Sequence, residues 1–126
     1  MKKILIIEDE EAIRFILEKR LNDAGYLTIS AENGIEGLNK ARRENPDLII
    51  LDLMLPGIDG YQVCSILKKD RRYTHIPIII LTARIQQKDY ELAMQLGADA
   101  FLTKPFESQV LLSKIEELLK NNKGKE

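Results

Sequence analysis

Leu48-Ile49-Ile50-Leu51-Asp52-Leu53-Met54-Leu55-Pro56-Gly57 is the stretch that decides the reading of this chain. Its unbroken apolar start reads as a strand buried on both faces, the pattern of a parallel sheet covered by helices. Asp52 closes that strand, and open α/β sheets hold their ligands outside the carboxyl ends of their strands. Burying an unpaired charge is costly, so a carboxylate there needs a partner. Working outward, Ile4 to Ile7 is a second apolar run, ended by Glu8 and Asp9. Ile78 to Leu81 is a third, ended by Thr82, and Lys104 follows a fourth, Ala100 to Leu102. If these runs are neighbouring parallel strands, five polar groups converge on one edge of the sheet. Acids for a divalent metal, an acid to carry a phosphoryl group, a hydroxyl and an ammonium make up a phosphoryl-transfer kit.

Strand-like and helix-like segments alternate five times, the signature of βαβ units. The strands are predicted at Lys3 to Glu8, Leu27 to Ala31, from Leu48 to Leu51, from Ile78 to Leu81 and Ala100 to Thr103, with the second at a sheet edge. The helices are predicted at Glu11 to Ala24, Ile35 to Glu44, Tyr61 to Lys69, Gln86 to Leu96 and from beyond Pro105 to Lys120. Ile13, Ile16, Leu17 and Leu21 share a face of the first helix at helical spacing. Gly25 and Gly97 suit left-handed caps. Gly37 should weaken the second helix. Gly57, Asp59 and Gly60 read as turn formers. Residues 1–120 form one domain, and 121–126 read as a polar tail or the start of a linker.

Length and composition bound the function. A chain of 126 residues suits one domain with a core of its own. A formal net charge of −1 argues against direct nucleic-acid binding, which needs a basic face. No apolar stretch approaches the ~20 residues that span a bilayer. The single cysteine, Cys64, cannot form an internal disulfide and reads as a small core residue in a reducing cytoplasm. His75, the only histidine, makes neither a zinc site nor a triad and reads as a surface residue.

Glu8-Asp9, Asp52 in Asp-Leu-Met-Leu-Pro-Gly, Thr82-Ala83, Lys104-Pro105-Phe106 and the Gly-Ala-Asp of Gly97 to Asp99 resemble, in order and spacing, the receiver domain of two-component response regulators. The resemblance runs from Lys3 to about Lys120. It implies a doubly wound, flavodoxin-like five-stranded parallel sheet in the order 2-1-3-4-5, with five helices. It implies that Asp52 accepts a phosphoryl group from a histidine kinase or a phosphotransfer protein. It implies Mg2+ held by Asp9, Asp52 and the backbone carbonyl of Met54, with Glu8 acting mainly through water. Lys104 would neutralise phosphoryl oxygens, Thr82 would hydrogen-bond one of them, and the Lys104–Pro105 bond would be cis. Thr82 and Phe101 would form the switch, Phe101 resting inward for lack of a hydroxyl, and the output face would be helix four, strand five and helix five. The clustered carboxylates should raise one another's pKa values.

The Asp-Leu-Met-Leu-Pro and Lys-Pro-Phe motifs are most like receivers of winged-helix transcription factors, which often pair through that output face. Asp99 and Lys114 match charged counterparts there, but Ala100 stands where a second acid is usual, which leaves a phosphorylation-dependent homodimer in doubt. The partner downstream would be an effector protein or a fused output domain. Met54 and Arg84, neither amide nor acid, imply slow self-dephosphorylation. An alternative is a magnesium-dependent phosphatase with an aspartyl-phosphate intermediate, but such enzymes place a second acid two residues after the nucleophile, where Met54 stands. A phosphorylation-independent binding module is the other alternative, but it would have a broken acidic pair, phosphoacceptor or lysine, and all are present. A signalling domain, rather than an enzyme, is the expectation. Taken singly, Asp9 could instead cap the first helix.

Overall fold

Ile4, Leu5, Ile6 and Ile7 are all fully buried, and they alternate between the two faces of a sheet. This is what a strand covered on both sides by helices requires. The computed structural model describes residues 1–84 and 86–121. The elements run β1 (Lys3–Ile7), α1 (Glu11–Asp23), β2 (Leu27–Ala31), α2 (Gly34–Glu44), β3 (Leu48–Leu51), α3 (Gly60–Lys69), β4 (Ile78–Thr82), α4 (Gln87–Gln95), β5 (Ala100–Thr103) and α5 (Ser108–Asn121). All pairings are parallel, and the order is β2-β1-β3-β4-β5. β3 and β4 are buried along their whole length, whereas β2 at the edge begins exposed.

Alternation along the strands makes two apolar layers. Leu5, Ile7, Ile49, Leu51, Ile78 and Ile80 meet Leu38 and Ala41 of α2, Val63 and Leu67 of α3, and Ala93 of α4. Ile4, Ile6, Leu48, Ile50, Ile79 and Leu81 meet Leu17 and Leu21 of α1 and Leu111 and Ile115 of α5. Right-handed crossovers distribute the helices in this way.

The predicted elements are all present, with ends displaced by a residue or so. Gly25 (φ +97°) and Gly97 (φ +103°) turn the chain after α1 and α4 as expected. Gly37 has a different reason from the one composition suggests. A Cβ there would come within 2.5 Å of Ile7 Cδ1, so the glycine lets α2 close onto β1. Asp59 caps α3, its side chain accepting from Gln62 N while Gln62 returns the bond to the Asp59 backbone. Asn121 is the last residue of α5, and the rest of the expected tail, residues 122–126, lies outside the described residues. His75 is exposed, as expected of a surface residue.

Cys64 is buried on α3, and burial pushes its thiol up to about 11. The thiolate is the reactive form. At pH 8, Cys64 should therefore react with a disulfide reagent about 100-fold more slowly in the folded protein than in urea, given a free cysteine pKa near 8.5. Equal rates would show that the thiol is not packed as described.

Candidate functional site

The parallel register fixes which strand ends are neighbours. β1 and β3 run side by side with Ile7 opposite Leu51, so Glu8 and Asp52 leave the sheet together. Asp52 N–H donates to Ile7 O at 3.1 Å, which prolongs the ladder by one bond and aims the next side chain at the sheet edge. On the other side, β4 and β5 pair Thr82 with Thr103, and Lys104 N–H donates to Thr82 O at 2.9 Å. The Lys104–Pro105 peptide is cis.

Lys104 bridges these strand ends. Its Nζ lies 2.6 Å from Glu8 Oε1 and 2.9 Å from Asp52 Oδ2, with Glu10 Oε1 further off at 4.0 Å. Glu8 and Asp52 are 2% and 4% exposed and Thr82 is fully buried, whereas Asp9 is exposed. The second oxygens are also used: Glu8 Oε2 accepts from Glu10 N at 3.1 Å, and Asp52 Oδ1 from Met54 N at 3.1 Å. Arg84 N donates to Thr82 Oγ1 at 3.4 Å.

Glu8 contacts Lys104 directly, and the cause of its electrostatic shift differs from expectation. Its pKa is raised, but the main cause is burial; the Lys104 and Glu10 hydrogen bonds pull it down, and the charge of Asp52 adds only a lesser push upward. Lys104 is raised as well. Burial alone would lower it, and the bonds to Glu8 and Asp52 outweigh that. Asp9 does not cap α1, whose N-cap is Glu10 with no side-chain bond.

Carboxylate oxygens of Glu8, Asp9 and Asp52 lie within 4.8 Å of one another. Three carboxylates thus face one close ammonium, which leaves a negative excess at a half-open edge. The donors are hard oxygens, the set that suits Mg2+. The residues present therefore fit a divalent cation. Phe101, the predicted switch aromatic, is half-buried, packs on the apolar layer facing α2, α3 and α4, and meets Tyr90 edge-on with ring centres 5.6 Å apart.

Two features escaped the spacing arguments. Arg14 Nη1 donates to the carbonyls of Glu8 (2.8 Å) and Asp9 (3.2 Å), while Nη2 reaches Glu32 at 3.3 Å. It pins the loop that carries the acids. Contacts to backbone leave no motif; the only sequence signal is a lone cation on the first turns of α1. Replacing Arg14 by Ala should weaken Mg2+ binding about 10-fold, the usual cost of losing a group that orients metal ligands; calorimetric titration with Mg2+ would measure it. Asp89 is the second feature. It is buried on α4 and accepts from Tyr61 Oη of α3 at 2.6 Å, and Arg84 Nε stands 3.4 Å from the same oxygen.

Comparison with known proteins matches residues 4–116 to the response regulator receiver domain. The chain is 41% identical over 121 residues to the alkaline phosphatase synthesis transcriptional regulatory protein PhoP of Bacillus subtilis, covering 96% of this chain and 50% of that protein. It is 43% identical over 120 residues to the DNA-binding dual master transcriptional regulator RpaA of Synechocystis, covering 95% of this chain and again 50% of the relative. The chain thus spans about half the length of these curated relatives. Among solved structures, a CheY-like response regulator receiver domain protein from Methanospirillum hungatei superposes with a TM-score of 0.94 at 29% identity, covering 100% of this chain and 99% of that one. The BeF3-activated N-terminal receiver domain of Klebsiella pneumoniae RstA gives 0.87 at 28% identity, covering 93% and 97%.

Proposed function

This chain belongs to the response regulator receiver domain family, and from that premise we propose that Asp52 is its phosphoacceptor. The observation that carries the reading is the pairing of a buried Asp52 with Lys104 beside the Glu8–Asp9 acid pair at the strand ends. A carboxylate is a competent covalent nucleophile. An Asp52 oxygen attacks the phosphorus of a phosphohistidine or an acyl phosphate. A P–O bond to Asp52 forms, and the bond to the donor's nitrogen or oxygen breaks.

Lys104 accompanies the charge as it moves. In the resting site its ammonium balances Glu8 and Asp52. When phosphoryl oxygens arrive, the same ammonium serves them, so little must be reorganised at the moment of transfer. Thr82 supplies a hydroxyl, and the N–H of Met54 holds Asp52 in one orientation. Mg2+, if held there, would supply positive charge to balance the incoming oxygens. Asp9, Asp52 and the Met54 carbonyl would hold it, with Glu8 behind them. Met54 carries a half-exposed thioether and no second acid, which speaks against the phosphatase alternative.

The partners follow from this role. A sensor histidine kinase or phosphotransfer protein supplies the phosphoryl group in the cytoplasm, and Phe15 and Ile16, both exposed on α1, offer it apolar surface. Among the described residues no helix is long and apolar enough to cross a membrane. The signal passes through Thr82 and Phe101 to the α4, β5 and α5 face, and from there to an effector protein or a fused output domain. Residues 1–120 act as the receiver unit, a signalling domain that assists its own phosphorylation rather than an enzyme. A homodimer through the output face gains little from the charges named earlier. Asp99, though exposed, is already engaged within its own chain, accepting from Ile78 N at 2.8 Å and pairing with Lys68 at 2.9 Å, while Lys114 pairs with Glu117 on its own helix.

The test is intact-mass spectrometry after incubation with acetyl phosphate and Mg2+. The wild type should gain one phosphoryl group. Asp52→Asn, or wild type with the metal chelated, should gain none. Incorporation that persists in Asp52→Asn would move the acceptor elsewhere.

A further inference from the structure

Asp89 is a carboxylate with an unusual place. Only 4% exposed, it sits on α4, which otherwise buries just Ala93. Its Oδ1 takes both the Tyr61 hydroxyl and the Arg84 guanidinium, yet its Oδ2 is buried with no hydrogen-bond partner among the described residues. A buried acceptor left unmade is costly, and native proteins keep few of them. Tyr61 remains a firm donor, its hydroxyl pushed up to about 12 by burial and by the bond to Asp89. Arg84 ties the cluster to the site, because its own N–H rests on Thr82 Oγ1.

We propose that Asp89, held by Tyr61 and gripping Arg84, is a positioning residue that keeps Thr82 in its resting place and so opposes the phosphorylated state. This rests on the reading of Asp52 as phosphoacceptor. A shift of the Thr82 hydroxyl toward a phosphoryl oxygen draws its Oγ1 away from the Arg84 N–H. The guanidinium anchored on Asp89 resists that shift of the segment after β4. The empty Oδ2 makes the latch incomplete. Arg84 meets one oxygen at 3.4 Å, where a bidentate pair would engage both at shorter range. A latch of this strength holds the resting state without locking it. Releasing it should raise the fraction of binding-competent molecules, and apparent affinity for a phosphoryl group scales with that fraction.

The experiment measures binding of beryllofluoride, an unreactive phosphoryl mimic, in saturating Mg2+. It avoids Arg84's separate influence on hydrolysis. Tyr61→Phe, Arg84→Gln and Asp89→Asn should each bind beryllofluoride about 5- to 10-fold more tightly than wild type, with Mg2+ affinity unchanged. The Arg84→Gln, Asp89→Asn double variant should gain little over either single one, since both open the same latch. Tyr61→Phe keeps the ring and guards against an Asp89 variant that fails to fold. Unchanged or weaker beryllofluoride binding in folded Tyr61→Phe and Arg84→Gln would overturn the latch and leave Asp89 a structural carboxylate. Wild type that binds no beryllofluoride with Mg2+ would instead refute the phosphoacceptor reading itself.

Discussion

Replacing Lys104 by Met should slow phosphorylation by acetyl phosphate at least ~100-fold, the usual loss when one preorganised charge partner of a transferring group is removed. It should also destabilise the metal-free protein by about 3 kcal/mol. The first effect follows from position. Among the described residues Lys104 is the cation within bonding distance of Asp52, at 2.9 Å, and it also spans to Glu8 at 2.6 Å. The second follows from burial. Methionine matches the length of the lysine stem, so packing changes little, but two buried carboxylates lose their common counter-charge. Removing one member of a buried ion pair is far more damaging than the pair's net contribution, because the remaining charge stays desolvated.

Mg2+ separates the two effects. A divalent cation among Glu8, Asp9 and Asp52 would restore the balance that Lys104 provided. Stabilisation by Mg2+, read as the rise in Tm with added metal, should therefore be larger in Lys104→Met than in wild type. Phosphorylation should stay slow even at saturating Mg2+, because the phosphoryl oxygens still lack the ammonium. Intact-mass time courses and thermal melts over a Mg2+ series would check both. A variant that recovers its full rate with metal would reduce Lys104 to a structural counter-ion.

Much of this site was legible because its residues sit at the ends of strands whose burial is written in the sequence. Leu48 to Leu51 has no polar residue, and only a strand covered on both faces tolerates that. Once the strand ends are located, Glu8, Asp9, Asp52, Thr82 and Lys104 follow by counting, and parallel pairing brings Glu8, Asp52 and Lys104 into contact. The remainder was hidden because it depends on tertiary approach. Arg14 acts on carbonyl oxygens, which every residue has. Tyr61 and Asp89 are 28 residues apart and meet only when α3 and α4 pack on the same face. Taken singly, Asp9 could also have capped α1, and only the structure shows that the N-cap is Glu10 and that Asp9 lies with Glu8 and Asp52. Composition also misassigned Gly60 as a turn former, when it is the first residue of α3 and needs no positive φ.

Gly60→Ala is accordingly expected to cost about 2–3 kcal/mol, at the upper end of what overpacking does, and to impair phosphorylation as well. A Cβ at Gly60 would lie 2.2 Å from Asp52 O and 2.6 Å from Leu53 Cα. Both obstacles are backbone, so no side chain can rotate away. The Gly60 N–H also donates to Leu53 O at 3.0 Å, which ties the start of α3 to the chain just after Asp52. Relief must come from moving either α3 or the Asp52–Leu53 backbone. Moving the second disturbs the Met54 N–H bond that orients the Asp52 carboxylate. Gly57→Ala provides the contrast. That residue has φ +75° and open space around it, so alanine there meets backbone strain but no clash. It should cost about 1 kcal/mol and leave the phosphorylation rate near wild type. Urea unfolding of both variants, with their acetyl phosphate time courses, would read the difference. If Gly60→Ala proved as mild as Gly57→Ala in both measurements, α3 would not be pressed against the Asp52 backbone, and the strand end would owe its shape to the loop alone.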